Sequence, residues 1–153
     1  MSAFRDHLKL DEPSDAEMMA GVERLLGDAD TEFLLGAPDG DGPAAGVAQL
    51  RYRYGVWRAG FDCLLEDLFV DAAARGTGLG RALMAAIVDH ARARACRRIE
   101  LDTNETNTAA LGLYERFGFS AVANSYGARD LYLRLHLDCS ADETGVTPLS
   151  AKD

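Results

Sequence analysis

Hydrophobic residues recur along this chain at two spacings, and the spacing changes from one stretch to the next. Met18, Met19, Val22, Leu25 and Leu26 recur three and four positions apart, as on one face of an α-helix. Ser14 stands three residues before Glu17, the pattern of a capping box, and Gly27 closes the run. A longer stripe of Leu83, Met84, Ile87, Val88 and Ala91 predicts a helix from Leu79 to about Ala95. Asn107 to Phe117 reads as a third helix ended by Gly118, and Ala3 to Leu10 as a short one. Between them lie β-rich runs: Thr31–Gly36, Gly46–Tyr54 and Phe61–Val70. Ala37 to Pro43 is a turn, and Gly55–Gly60 joins two strands as a hairpin. Arg98–Asp102, Phe119–Ala123 and Leu131–Leu137 read as further strands.

This order predicts a mixed α/β domain whose sheet is antiparallel in its first half. The strand–helix–strand unit from Phe61 to Asp102 adds one parallel, right-handed crossover. A chain of 153 residues supports one core, so residues 1–139 are expected to form a single domain and the polar residues 140–153 a flexible tail.

Composition narrows the function. The net charge of −9 argues against tracking a nucleic-acid backbone, although an acidic surface attracts cationic substrates. No apolar run reaches the ~18 residues of a membrane span, and Met1–Leu10 has no secretory pattern. Cys63, Cys96 and Cys139 are odd in number and lack metal or disulfide spacing, which points to the reducing cytoplasm. His7, His90 and His136 show no metal spacing either, so no metal is expected.

The chemistry concentrates after the third strand, in Arg75-Gly76-Thr77-Gly78-Leu79-Gly80-Arg81. Glycines at alternate positions let the backbone approach a ligand. The free N–H groups at a helix start favour an anion, and Arg75 and Arg81 add mobile positive charge, which suits a pyrophosphate. No lysine completes a Walker loop, and the G-x-G-x-G spacing departs from the dinucleotide fingerprint.

The R-x-x-G-x-G pattern resembles the pyrophosphate loop of the GNAT superfamily of acetyl-CoA-dependent N-acetyltransferases. Twenty-seven positions after Gly80 begins Asn107-Thr108-Ala109-Ala110-Leu111-Gly112-Leu113-Tyr114-Glu115-Arg116-Phe117-Gly118-Phe119. This is similar to the family's N-x-x-A-x-x-x-Y-x-x-x-G-F segment. The resemblance covers roughly Glu32 to Leu137. It implies a single domain with a central, mixed but mostly antiparallel, splayed sheet flanked by helices. It also implies acetyl-CoA as cosubstrate and a small-molecule primary amine as acceptor, with a homodimer by analogy.

Roles follow on matching positions. Leu65-Glu66-Asp67-Leu68-Phe69-Val70 resembles the L-E-D-x-F-V strand of spermidine/spermine-type members, which implies Glu66 as the base that deprotonates the amine. The bland alternative is a paired surface carboxylate. Asp67 is expected on the opposite face of the strand. Tyr114 is the candidate acid for the leaving thiolate, against the alternative of a packed core tyrosine. Leu68, Phe69 and Val70 are expected to meet the pantetheine arm, Leu68 and Val70 through backbone groups freed by the splay. Gly76, Thr77, Gly78, Leu79 and Gly80, between the two arginines, would hold the pyrophosphate. Ala110 and Asn107 complete the cofactor set, Asn107 having an equal reading as a helix cap.

Three features depart from the resemblance or lie outside it. The family's first strand has no counterpart before the early helices. Gly112 costs a helix about 1 kcal/mol relative to alanine, which close packing on a cofactor would explain. Arg92, Arg94, Arg97 and Arg98 either reach the adenosine 3′-phosphate or complement a helix end, and Tyr52, Tyr54 and Trp57 either wall the acceptor pocket or are half-buried sheet aromatics. Alternative functions are acetylation of a protein lysine or N-terminus, and a non-catalytic acyl-CoA sensor.

Overall fold

The computed structural model describes residues 1–121 and 132–135. Contacts divide the chain into two units, Met1–Ser120 and Ala121–Asp153. In the second, residues 132–135 have no regular structure, and the Arg134 guanidinium lies 4.7 Å from the Tyr132 ring centroid.

The first unit opens with α1 (Ser2–His7) and α2 (Asp15–Leu26). Helix α1 stops before Leu10 because Leu8 caps it and Lys9 turns to a φ of 57°. At α2 the capping box forms: Ser14 accepts from the Glu17 N–H while the Glu17 carboxylate accepts from the Ser14 N–H. Strands β1 (Thr31–Gly36), β2 (Gly46–Gly55) and β3 (Gly60–Val70) follow, then α3 (Leu79–Ala93), β4 (Arg98–Glu100) and α4 (Thr108–Arg116). The sheet order is β1-β2-β3-β4; the first two pairings are antiparallel and the last is parallel. As expected, α3 is the crossover.

The core lies between the sheet and α3. Ala48, Leu50, Cys63, Met84 and Ile87 are fully buried, joined by Tyr52, Leu65, Ala91 and Tyr114. Burial pushes the Cys63 thiol up to about 12, so it packs as a small inert hydrophobe. Near the start of α3, Gly36 and Gly46 face each other across β1 and β2. A Cβ on Gly36 would lie 2.8 Å from a Leu79 methyl, and one on Gly46 2.8 Å from a Leu83 methyl. The pair therefore lets the first turns of α3 sit close on the sheet, which fixes where its N-terminus points.

Two expectations change. Strand β4 ends at Glu100, because its last partner is Leu64 and β3 then continues paired with β2 only. Phe119 to Ala121 form no strand: Phe119 is used to close α4. Its N–H donates to the Tyr114 carbonyl and the Gly118 N–H to the Glu115 carbonyl, a Schellman closure with Gly118 at φ 88°. Tyr132 to Leu135 form no strand either. The rest of the two expected closing strands, Cys139 and the tail at 140–153 lie outside the described residues.

Candidate active site

The parallel pairing of β3 with β4 stops at Leu64 and Glu100, while β3 runs on to Val70. The strands therefore part over the segment that leads into the glycine loop. The direction of the freed groups follows from register. The Asp71 N–H donates to Ala45 on the β2 side, so by strand alternation the polar groups of Val70 and Leu68 face away from β2, into the split. Phe69 faces the other way: its backbone pairs with Val47, and its ring stacks on Phe4 of α1 at 5.1 Å.

A bulge lies at the mouth of the split. Leu50 pairs with Leu65 and Gln49 with Asp67, which leaves Glu66 as the extra residue. Leu65 and Leu68 both pack toward α3 although they are three apart. Glu66 and Asp67 between them thus share the opposite side, which corrects the expectation that alternation separates the two carboxylates. Glu66 is exposed and Asp67 half-buried. Burial holds the Asp67 carboxyl above its ordinary value, and the charges of Glu66 and Asp102 push it the same way.

Asp102, two residues past the end of β4, also acts on α4. Tyr114 is 9% exposed, and its phenol is raised first by burial and then by the Asp102 charge. The Asp102 charge thus acts on both Asp67 of β3 and Tyr114 of α4, and Tyr114 packs in the core beside Leu65 and Met84. Neither motif points to Asp102; only the early end of β4 reveals it.

Asp67 gives a stability prediction. A carboxyl whose folded value is raised costs stability once ionised. The penalty is absent below the ordinary value of 3.8, grows as pH rises through the folded value, and is constant above it. Asp67→Asn should therefore raise the melting temperature at pH 7, with the gain vanishing below pH 3.8. A gain that persists at low pH would contradict this account.

The loop starts with a 3-10 turn at Ala72–Ala74. Thr77 donates its hydroxyl to the Ala74 carbonyl at 2.7 Å, and Gly76 and Gly78 take φ of 80° and 94°, which other residues adopt only with strain. The first intrahelical bond of α3 runs from the Ala82 N–H to Gly78. The N–H groups of Leu79, Gly80 and Arg81 precede it and project from the helix start. The Leu79 side chain is buried, so only its backbone faces outward. A Cβ on Gly80 would meet Leu113 and Val70 at 3.7 and 3.8 Å, so α3, α4 and the end of β3 converge there.

Arg75 is not the mobile cation expected. Its Nε donates to the Val70 carbonyl at 3.0 Å, its Nη2 lies 3.3 Å from His7 Nε2, and its guanidinium is 5.9 Å from the Phe69 ring centroid. It ties the loop to β3 and to α1. Among the described residues Arg81 forms no ion pair, and it stands exposed beside the loop.

On α4, Asn107 caps the helix by accepting from the Ala110 N–H at 3.3 Å, and Ala110 is partly buried against the core. Among the described residues, nothing lies within 4 Å of a Cβ placed on Gly112, so no packing among them explains it. Gly112→Ala should raise the melting temperature by about 2–4 °C, from about 1 kcal/mol of helix propensity. An unchanged or lower value would contradict this.

The other two candidate groups lie elsewhere. The Arg92–Arg98 run is at the far end of α3, about 22 Å from the loop at ~1.5 Å per residue. Arg92 pairs with Asp89, Arg94 with Glu32, and Arg98 with Asp62 and Glu100, so these three serve in structural ion pairs, while the Arg97 side chain packs against Gly60. Tyr52 is buried and donates to Glu32, while Tyr54 and the fully exposed Trp57 stand at the hairpin tip. None of the three walls a pocket at the split.

A sheet split beyond Leu64 and Glu100, with a glycine loop at the head of α3, fits the acetyltransferase class of fold. Residues 2–119 match the model of the acetyltransferase (GNAT) family, and the chain belongs to that family. It is 38% identical over 121 residues to a mycothiol acetyltransferase of Salinispora tropica, covering 77% of this chain and 38% of that protein. It is 41% identical over 56 residues to the spermine/spermidine N(1)-acetyltransferase of Bacillus subtilis, covering 36% and 37%. The chain thus spans less than half the length of these curated relatives. Among solved structures, a candidate acetyltransferase from Arthrobacter sp. FB24 is 29% identical with a TM-score of 0.77, covering 88% of this chain and 83% of that one.

Proposed function

We propose that this chain transfers the acetyl group of acetyl-CoA to a primary amine of a small molecule, by direct attack in a ternary complex. The observation that carries the reading is the parting of β3 from β4 beyond Leu64 and Glu100, on the segment that leads into the glycine loop. A pantetheine arm laid in the split pairs with the backbone of Leu68 as an added strand would. The pyrophosphate then meets the N–H groups at the start of α3 and the Arg81 guanidinium.

Glu66, directly or through one water, takes a proton from the bound ammonium; the neutral amine nitrogen then attacks the thioester carbonyl, and its second proton leaves to water as the intermediate collapses. A backbone N–H of β3 steadies the oxyanion. The intermediate collapses to the N-acetyl product, the carbon–sulfur bond breaks, and Tyr114 gives its proton to the departing thiolate. Solvent restores the phenol, and Glu66 releases its proton.

Glu66, Asp67 and Asp102 put negative charge where the acceptor arrives, and the net charge is −9. Both favour a cationic amine. Relatives named for a polyamine and for mycothiol support a small acceptor. The cysteine pattern favours a reducing cytoplasm.

The test is calorimetric titration with acetyl-CoA and CoA, followed by turnover on a panel of small amines. Saturable one-to-one binding with turnover on at least one amine supports the reading. Firm binding with silence across the panel would favour an acyl-CoA sensor. No binding by a folded sample would overturn the cofactor assignment.

A further inference from the structure

We propose that the hairpin tip between β2 and β3 forms a two-fold interface between copies of this chain, in which Trp57 of each copy enters a hollow beside Arg97 of the other. The tip is apolar and uncovered. Trp57 is fully exposed and Val56 is 83% exposed. Tyr54 and Phe61, in the strands on either side, are also exposed and meet edge to face at 5.5 Å. Single exposed apolar residues need no explanation, but four gathered at one turn do. The hollow adjoins this tip. It holds about 200 Å³ and is lined by Val88, Cys96 and Ile99 together with Arg92, Arg97 and Arg98. Arg97 joins the two features. Its N–H donates to the Phe61 carbonyl at 2.7 Å, and its side chain lies against Gly60, where a Cβ would be 2.7 Å from it.

The tip and the hollow are held in fixed relation. Val56–Arg58 form a single 3-10 turn, closed by the Ala59 N–H donating to the Val56 carbonyl, with Ala59 at φ 45°. The Arg58 Nε lies 3.9 Å from Asp62 Oδ1. The buried Asp62 in turn accepts from Arg98, which lines the hollow. Parts already in place lose little freedom when they associate.

A second copy is the occupant that fits. An indole is the best aromatic partner for a guanidinium. Among the described residues Arg97 forms no ion pair. One patch therefore carries both the inserted ring and its receptor, which is the condition for an isologous contact: Trp57 of one copy meets Arg97 of the other, and the reverse. Charge selects the same place. Copies that each carry a net charge of −9 repel where acids predominate. Around the tip, Arg53, Arg58, Arg92 and Arg98 each have a carboxylate partner. The patch is thus close to neutral, and two copies approach there at least electrostatic cost. It lies at the opposite end of α3 from the glycine loop, so pairing needs no cofactor. An aromatic tip simply left in water predicts no self-association.

The test reads Trp57 directly, because it is the chain's one tryptophan. In sedimentation equilibrium across the micromolar range, the mass of the full chain should rise from 16.5 kDa toward twice that value. Over the same concentrations the tryptophan emission should move to shorter wavelength, as the indole leaves water. Trp57→Ala should weaken dimerisation about 30-fold or more, as loss of an interface hot spot does. Trp57→Phe should restore part of the affinity, and Arg97→Ala should weaken it as well. Thermal melting of each variant separates loss of the interface from loss of the fold, and the exposed Trp57 carries little of the fold. A folded monomer at every concentration, with the emission of an indole in water, would overturn the proposal and leave the tip to a different partner. A dimer formed equally well by Trp57→Ala would overturn it by placing the interface elsewhere. A mass that grows past two copies would overturn the two-fold pairing in favour of a head-to-tail contact.

Discussion

Tyr114→Phe should lower the acetyl-transfer rate by about 10²- to 10⁴-fold while leaving acetyl-CoA affinity nearly unchanged. The substitution removes one oxygen and keeps the ring, so the packing against Phe119, with centroids 5.9 Å apart, survives. Burial and the Asp102 charge keep the phenol protonated across neutral pH, as a proton donor must be. They also lift it above its ordinary value of 10.0, which by itself would make it a poorer acid toward a thiolate of about 8.5. The thiolate forms in the same dry site, however, and desolvation raises it in the same direction. The two values therefore stay close enough for transfer. An interaction made only in the transition state shows as a loss in kcat and in kcat/KM alike. Weakened acetyl-CoA binding with an unchanged rate would instead make Tyr114 a packing residue of the cofactor wall.

Much of this architecture is legible in the sequence, and the parts that are not share a cause. The stripe from Leu83 to Ala91, the capping box at Ser14 and the stop at Gly118 depend on local spacing, and they form as read. The glycine loop is legible for the same reason: φ of 80° and 94° at Gly76 and Gly78 are conformations that favour glycine. What spacing does not report is register. The bulge opposite Gln49 and Leu50 adds one residue to β3 and brings Glu66 and Asp67 to one side, where strict alternation separates them. The early end of β4 is likewise a property of pairing, and it leaves Asp102 outside the strand, where its charge acts on both Tyr114 and Asp67. Arg75 belongs to the same class. Its motif marks it as a phosphate cation, but the distance from its guanidinium to Val70 and His7 depends on how α1 lies on Phe69.

Glu66→Gln should reduce turnover by about 10²-fold or more at pH 7, with the deficit shrinking toward the amine's own value near 10.4. At pH 7 an alkyl amine is neutral in only about 1 part in 2,500, a cost near 4.6 kcal/mol at ~1.36 kcal/mol per pH unit. A base at the mouth of the split meets that cost inside the complex by taking the proton from the bound ammonium before the nitrogen attacks. The amide of glutamine keeps the size and the hydrogen-bonding oxygen but accepts no proton. The variant therefore depends on amine already neutral in solution, and its rate should climb with pH until that supply is no longer limiting. The bulge makes the substitution a clean probe: Glu66 is the unpaired residue of β3 and is exposed, so its side chain carries little of the fold. A deficit of equal size at every pH, expressed in KM, would assign Glu66 a different task. It would then attract the ammonium ion together with Asp67 and Asp102, and the proton would leave through water alone.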